Sequence, residues 1–215
     1  MLHVVPIADP ESHDAVANTF GRIKEMFGDQ PVPHPFYLYA HVPAFLQDFY
    51  MNFKKFIFQP GKLDLQTKNM IALAVSLHGK CSPWVDYFRS RLIDLGGTAE
   101  QSLEIAALVA TSTTYNTFFK FRFLSGTGIF DGMPVALRAH TFQGTSFDEK
   151  FVELLNVVIS NLNVCQPCTS AHVKKVQSLG YSDEAILEAV QVAATIAAGI
   201  SFLNSITETD TTKSL

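Results

Sequence analysis

The chain has 215 residues, with 16 Lys plus Arg against 20 Asp plus Glu, a formal net charge of −4, and 47% apolar residues. That length suits one compact domain or two small ones sharing a core, the apolar content excludes disorder, and the charge balance offers no basic field for nucleic acid. Charged residues make up only 17%, below the roughly 25% of ordinary soluble domains, so part of the surface is expected to be buried in a homo-oligomer.

The opening Met1-Leu-His-Val-Val-Pro carries neither the charged nor the long apolar segment of a secretory signal, so a cytoplasmic location is expected. Val16, Phe20, Ile23 and Phe27 then fall at i, i+4, i+7 and i+11 before Gly28, which predicts an amphipathic helix starting near Asp9 to Ser12 with a glycine stop. Phe45, Phe49, Phe53 and Phe56 repeat the spacing after Pro43, a residue suited to a first helical turn. Thr98-x-x-Gln101 and Ser146-x-x-Glu149 read as capping boxes opening two more helices. Hairpin signals are missing apart from Asp131-Gly132 in a loop near 125–145, so the fold class is all-α. The apolar stretch Ala189 to Leu203 is interrupted by Gln191, Thr195 and Ser201 and falls short of the roughly 20 residues a bilayer needs; a buried helix is expected, with no membrane. Thr207 to Leu215 reads as a polar, loose tail.

Shifted by 84 residues, the chain matches itself: Ser76 meets Ser160, Cys81 meets Cys165, Pro83 meets Pro167, Leu95-Gly96 meets Leu179-Gly180, and Glu104 meets Glu188. A period this long does not make a solenoid. Two copies of one helical unit are expected to pack around a common core, each reading helix, cysteine-containing turn, helix, Leu-Gly stop, long helix.

The second copy carries Cys165-Gln166-Pro167-Cys168-Thr169-Ser170-Ala171-His172, with Glu153 twelve residues before the first cysteine. Pro167 places a helix start near Gln166, which sets both thiols at its positive end and His172 one turn beyond Cys168, all on one face. A thiol so placed should ionise readily. Three other readings of these residues stand beside a reactive thiolate: buried structural cysteines, a zinc site short of its fourth ligand, and a thioredoxin motif, which would need a βαβ pattern. Three cysteines are too few for a disulfide scaffold and suit a reducing compartment. Glu153 lies about opposite the stripe Phe151, Leu154, Val158 and Leu162 but shares its side with Val157 and Val164, so whether it is desolvated depends on what covers that side. In the first copy Asn69, Cys81, Trp84 and Phe88 hold the corresponding places. Cys81 is expected to be a buried structural thiol, and Trp84 and Phe88 could instead line a pocket.

Glu153-x11-Cys165-x-x-Cys168-x3-His172 resembles the signature of the AhpD-like alkylhydroperoxidases of the carboxymuconolactone decarboxylase superfamily. His34-Pro-Phe-Tyr-Leu-Tyr-Ala-His-Val-Pro-Ala is similar to the segment before the first repeat in peroxidase-related members, so the likeness covers roughly residues 34–206. It implies an all-α, trimeric or hexameric thiol-dependent peroxidase or disulfide reductase. In it Cys168 forms the sulfenic acid, Cys165 resolves it, and His172 and Glu153 relay protons. The chemistry requires no bound cofactor and no metal. The implied partners are a hydroperoxide substrate, an external dithiol such as a thioredoxin-like or lipoyl donor, and a peroxiredoxin. This chain has Gln166-Pro167 where AhpD carries a histidine between the cysteines, and a longer amino-terminal region. The expected organisation is a helical extension over 1–33, a first repeat with a degenerate site over 34–125, a second repeat with the cysteine pair over 126–206, and the tail over 207–215. A lactone decarboxylase or a non-catalytic helical binding module are the alternative functions.

Overall fold

In the computed structural model, which describes residues 2–208, the first apolar stripe becomes helix α1 (Asp14–Phe27), with Val16, Phe20, Ile23 and Phe27 all buried. The helix begins after a 3-10 turn at Pro10–Ser12, slightly later than the sequence suggests. Gly28 ends it at φ +59°, a left-handed backbone that a residue without Cβ adopts freely. Helix α2 (Pro35–Tyr39) and helix α3 (Pro43–Phe53) follow, and a π turn at Lys54–Phe58 takes Phe56 out of the regular stripe.

The duplicated unit is visible in element boundaries. Helices α4 (Leu65–His78), α5 (Ser82–Asp94) and α6 (Ala99–Leu124) are followed by α7 (Glu149–Leu162), α8 (Gln166–Ser178) and α9 (Asp183–Asn204). Each of the last three starts 84 residues after its counterpart. The local causes repeat too. Asp64 and Asp148 cap α4 and α7, Thr98 and Ser182 cap α6 and α9, and Gly96 and Gly180 both stop a helix at φ +87°. The expected capping box at Thr98 and Gln101 is complete. The one at Ser146 is not: Asp148, adjacent to the helix, accepts the Phe151 N–H, while Ser146 donates its N–H and hydroxyl to Glu104. Aspartate caps as well as serine and here stands nearer the helix start.

Each repeat lends its long helix to the other: α9 packs on α4, and α6 packs on α7, with α4 and α7 in contact between them. Lys68 on α4 is fully buried, with its ammonium 2.7 Å from Glu188 on α9 and 2.9 Å from the Gln59 carbonyl. Glu188 also accepts the Leu63 N–H at 2.8 Å. α9 is long and apolar enough to cross a membrane by length and composition alone. Here its Ala189, Val192, Ala193, Ile196 and Gly199 are buried in the core. A Cβ on Gly199 would come within 2.6 Å of both the Tyr39 hydroxyl and the Phe49 ring, so its small side serves packing within the chain.

One element is absent from the sequence reading. Leu2–Val4 (β1) pairs in parallel with Ile206–Glu208 (β2), Leu2 opposite Ile206. Three-residue strands carry too little alternation to announce themselves. Thr207 and Glu208, expected in the loose tail, are thus tied to the amino terminus, and Glu208 also reaches His34 at 2.9 Å. Residues 209–215 of the expected tail lie outside the described residues. The 125–148 connection contains 3-10 turns at Gly128–Phe130 and His140–Phe142, and Asp131-Gly132 makes no hairpin.

Candidate active site

Helix α7 ends at Leu162, and the chain turns through Asn163 and Val164 before α8 begins. Val164 holds φ +53° and so does its counterpart Lys80. For a β-branched residue that conformation is strained, and it is kept because the turn is gripped on all sides: His78 and Asn116 both bond the Asn163 side chain at 2.9 Å, and the Lys120 ammonium bonds the Asn163 carbonyl at 2.8 Å. The turn delivers Cys165 to the N-cap of α8. Pro167 occupies the first turn, where its missing N–H leaves no partner unsatisfied. Cys168 follows at the third helical position.

Cys165 and Cys168 are joined as a disulfide, with Cα atoms 5.3 Å apart. They are not equivalent. Cys165 is sealed in the interior, whereas Cys168 lies on the wall of a pocket of about 380 Å³ together with Ala171 and His172 of α8. The face shared by the two cysteines and the histidine therefore splits, with only its outer part open to the pocket.

His172 Nδ1 lies 2.6 Å from Glu153 Oε2, across the α7–α8 contact. With Nδ1 engaged, Nε2 is the ring nitrogen left to exchange a proton with the thiol or a substrate. Both side chains are largely covered, at 25% and 20% exposure. Of the two residues on Glu153's side of α7 in the sequence reading, Val157 is buried and Val164 stands 78% exposed.

The remaining walls belong to α6 of the first repeat, which supplies Ser112, Tyr115, Asn116 and Phe119, to Phe142 of the long connection, and to Asn156 of α7. Sequence reasoning missed these. Ser112 donates to the Asn156 side-chain oxygen, and Asn116 donates to Ser160 at 2.9 Å. The signal was present in the 84-residue offset: the places of Ser112, Asn116 and Asn156 are held in the other half by Ile196, Ile200 and Ala72.

The degenerate copy is filled. Trp84 and Phe88, in the places of Cys168 and His172, are fully buried and stack at 5.5 Å, with Phe53 5.6 Å from Trp84. They form core where a pocket was the alternative. Trp84 donates its indole N–H to Tyr39 at 2.9 Å, and burial pushes the Tyr39 hydroxyl well above its ordinary pKa. Asn69, in the place of Glu153, donates to the Phe88 carbonyl at 2.8 Å. Cys81 is buried and unbridged, and that burial raises its thiol pKa against the weaker opposing pull of a backbone bond to Trp84. Among the described residues no group of three or more His, Cys, Asp or Glu side chains is placed to hold a metal ion.

The family model for the carboxymuconolactone decarboxylase family matches residues 45–120 and 130–210. Among curated proteins, the chain is 33% identical over 108 residues to an alkyl hydroperoxide reductase AhpD of Anaeromyxobacter sp. (strain Fw109-5), covering 50% of this chain and 56% of that one. It is 22% identical over 158 residues to an AhpD of Coxiella burnetii, covering 72% and 88%. The matches to the first of these relatives thus span little more than half their length. Among solved structures, an uncharacterized peroxidase-related protein with an AhpD core from Ralstonia eutropha JMP134 superposes with a TM-score of 0.64 at 15% identity, covering 93% of this chain and 87% of that one. A protein from Burkholderia xenovorans LB400, provisionally described as a gamma-carboxymuconolactone decarboxylase subunit, gives 0.56 at 16% identity, covering 93% and 98%. At these identities the structures share the helical fold.

Proposed function

The chain belongs to the carboxymuconolactone decarboxylase family, and on that premise we propose that it is a thiol-dependent peroxidase of AhpD type, working through Cys168 and Cys165. The observation that carries this reading is the convergence of Cys168 and His172 on one pocket wall, with Cys165 bonded behind and Glu153 holding the imidazole from the far side.

In the reduced protein His172 takes the Cys168 proton through Nε2, and the imidazolium is stabilised by Glu153 at Nδ1. The thiolate, at the positive end of α8, attacks the terminal oxygen of a hydroperoxide. A sulfur–oxygen bond forms, the O–O bond breaks, and the departing alkoxide takes the proton held on His172. Cys165 then attacks the sulfenic sulfur, expelling water and closing the disulfide. An external dithiol reduces the disulfide by exchange. Only Cys168 faces the pocket, so it is the thiol that meets both peroxide and reductant. A thioredoxin-like or lipoyl dithiol is the proposed donor, with a peroxiredoxin as a partner, in a reducing cytoplasm and as a homo-oligomer.

A lactone decarboxylase is the second reading, favoured by the structural likeness to the Burkholderia protein; it has no use for two bridged thiols. Thiol counting decides. The reduced chain should lose two of its three thiols on mild treatment with an organic hydroperoxide. Retention of all three would sink the peroxidase reading.

A further inference from the structure

We propose that Asn156 is a catalytic residue of this site, the donor that binds the peroxide oxygen on which negative charge develops as the O–O bond breaks. This rests on the thiol-peroxidase reading and adds to it a group outside the cysteine, histidine and glutamate set. Asn156 is 2% exposed, on the wall of the same pocket as Cys168 and His172. Its side-chain oxygen is occupied by the Ser112 hydroxyl, and its Nδ2 has no hydrogen-bond partner. Buried polar groups are almost always paired, and one left open is a standing cost to the fold that calls for an account. In the other half of the molecule the same two places hold Ala72 and Ile196, both fully buried in apolar core. The amide and its clamp therefore occur only where the paired cysteines do.

The neighbouring walls are Tyr115, Phe119 and Phe142. An apolar enclosure of this kind accepts the organic body of a hydroperoxide and strengthens any hydrogen bond made inside it. The Cys168 sulfur bonds to the terminal oxygen and is oxidised by two electrons. The O–O electron pair departs on the inner oxygen, which accepts the Asn156 N–H as its charge grows and then takes the proton from His172. Ser112, holding the amide oxygen, fixes the direction of the donor before substrate arrives.

The test is Asn156→Leu in the full chain, with cumene hydroperoxide as the probe and a dithiol as reductant. Loss of a preorganised donor to a developing oxyanion lowers turnover by about 10²-fold. The expected result is a fall of that order in kcat/KM, while the rate and pH profile of Cys168 alkylation by iodoacetamide stay within about twofold, since alkylation releases no oxyanion. Equal losses in both reactions would make Asn156 a structural residue and overturn the proposal, as would an unchanged peroxide rate. If Asn156→Leu does not fold, Asn156→Asp keeps the volume and the oxygen that accepts from Ser112 but lacks the donor, and its peroxide rate is compared with its alkylation rate at the same pH. A wild type that alkylates at Cys168 yet consumes no hydroperoxide would refute the underlying reading and this one with it. A wild type that consumes hydroperoxide while Asn156→Leu matches it would refute this one alone.

Discussion

Replacing Glu153 with glutamine removes the carboxylate 2.6 Å from His172 Nδ1 and keeps the side chain's length. A hydrogen bond to a charged partner contributes about 1.5–3 kcal/mol. The two side chains keep 25% and 20% of their exposure, so water screens the pair and the lower part of that range applies, about 1.5–2 kcal/mol. In the proposed relay that energy stabilises the imidazolium formed when His172 takes the Cys168 proton, so its loss should make thiolate formation harder by roughly 10- to 30-fold. The assay is alkylation of the reduced protein followed by peptide mapping, run from about pH 5 to pH 9 so that the thiolate fraction is read directly. Glu153→Gln should alkylate Cys168 more slowly at neutral pH by that factor and recover in alkaline buffer, where the thiolate forms unaided. Rates within twofold of wild type across the whole range would make Glu153 a solvated bystander and break the relay.

Cys168→Ser should abolish peroxide consumption, whereas Cys165→Ser should complete one turnover and stop at a sulfenic acid on Cys168 that a dimedone probe captures; the opposite pattern would exchange their roles. Lys68→Met leaves Glu188 without its buried cation and should cost about 3 kcal/mol in urea unfolding at neutral pH. Burial pushes the Glu188 carboxyl up, but the Lys68 ammonium and the Leu63 and Lys62 N–H groups outweigh it and hold the pKa below the ordinary 4.5. A depressed carboxyl adds stability above its unfolded value and loses it as pH falls through the folded value. The gap between wild type and Lys68→Met should therefore narrow in acid; a gap independent of pH would contradict the pairing. Gly199→Ala puts a methyl within 2.6 Å of Tyr39 and Phe49 and should destabilise by about 1–3 kcal/mol, with an unchanged urea midpoint counting against that close approach.

The helices were legible because their causes are local. The stripe Val16, Phe20, Ile23 and Phe27 and the box at Thr98 and Gln101 each specify a face or an end without reference to the rest of the chain. The 84-residue offset went further and located both repeats. What stayed hidden depends on distant partners. The pairing of Leu2 with Ile206 joins the two ends of the described chain, and Ser146 is drawn away from the start of α7 by Glu104, far along the chain, while the adjacent Asp148 caps the helix. Cys165, Cys168 and His172 stood out by spacing and Glu153 mainly through the family resemblance, and the structure brings all four together. Their separation into a sealed and an open thiol could not be read from spacing. Nor could the contribution of α6, since isolated Ser, Asn and Tyr residues in an apolar helix look like ordinary variation until the partner helix is known.

The proposed turnover of hydroperoxide through the Cys165 and Cys168 pair is read from steady-state consumption of cumene hydroperoxide with a dithiol reductant, wild type beside Cys168→Ser. Sustained consumption by wild type, dependent on the dithiol and lost in the variant, is the predicted result. No consumption above the variant's level, with decarboxylation of a carboxymuconolactone by both proteins, would contradict the account and assign the pocket to the other chemistry of the family.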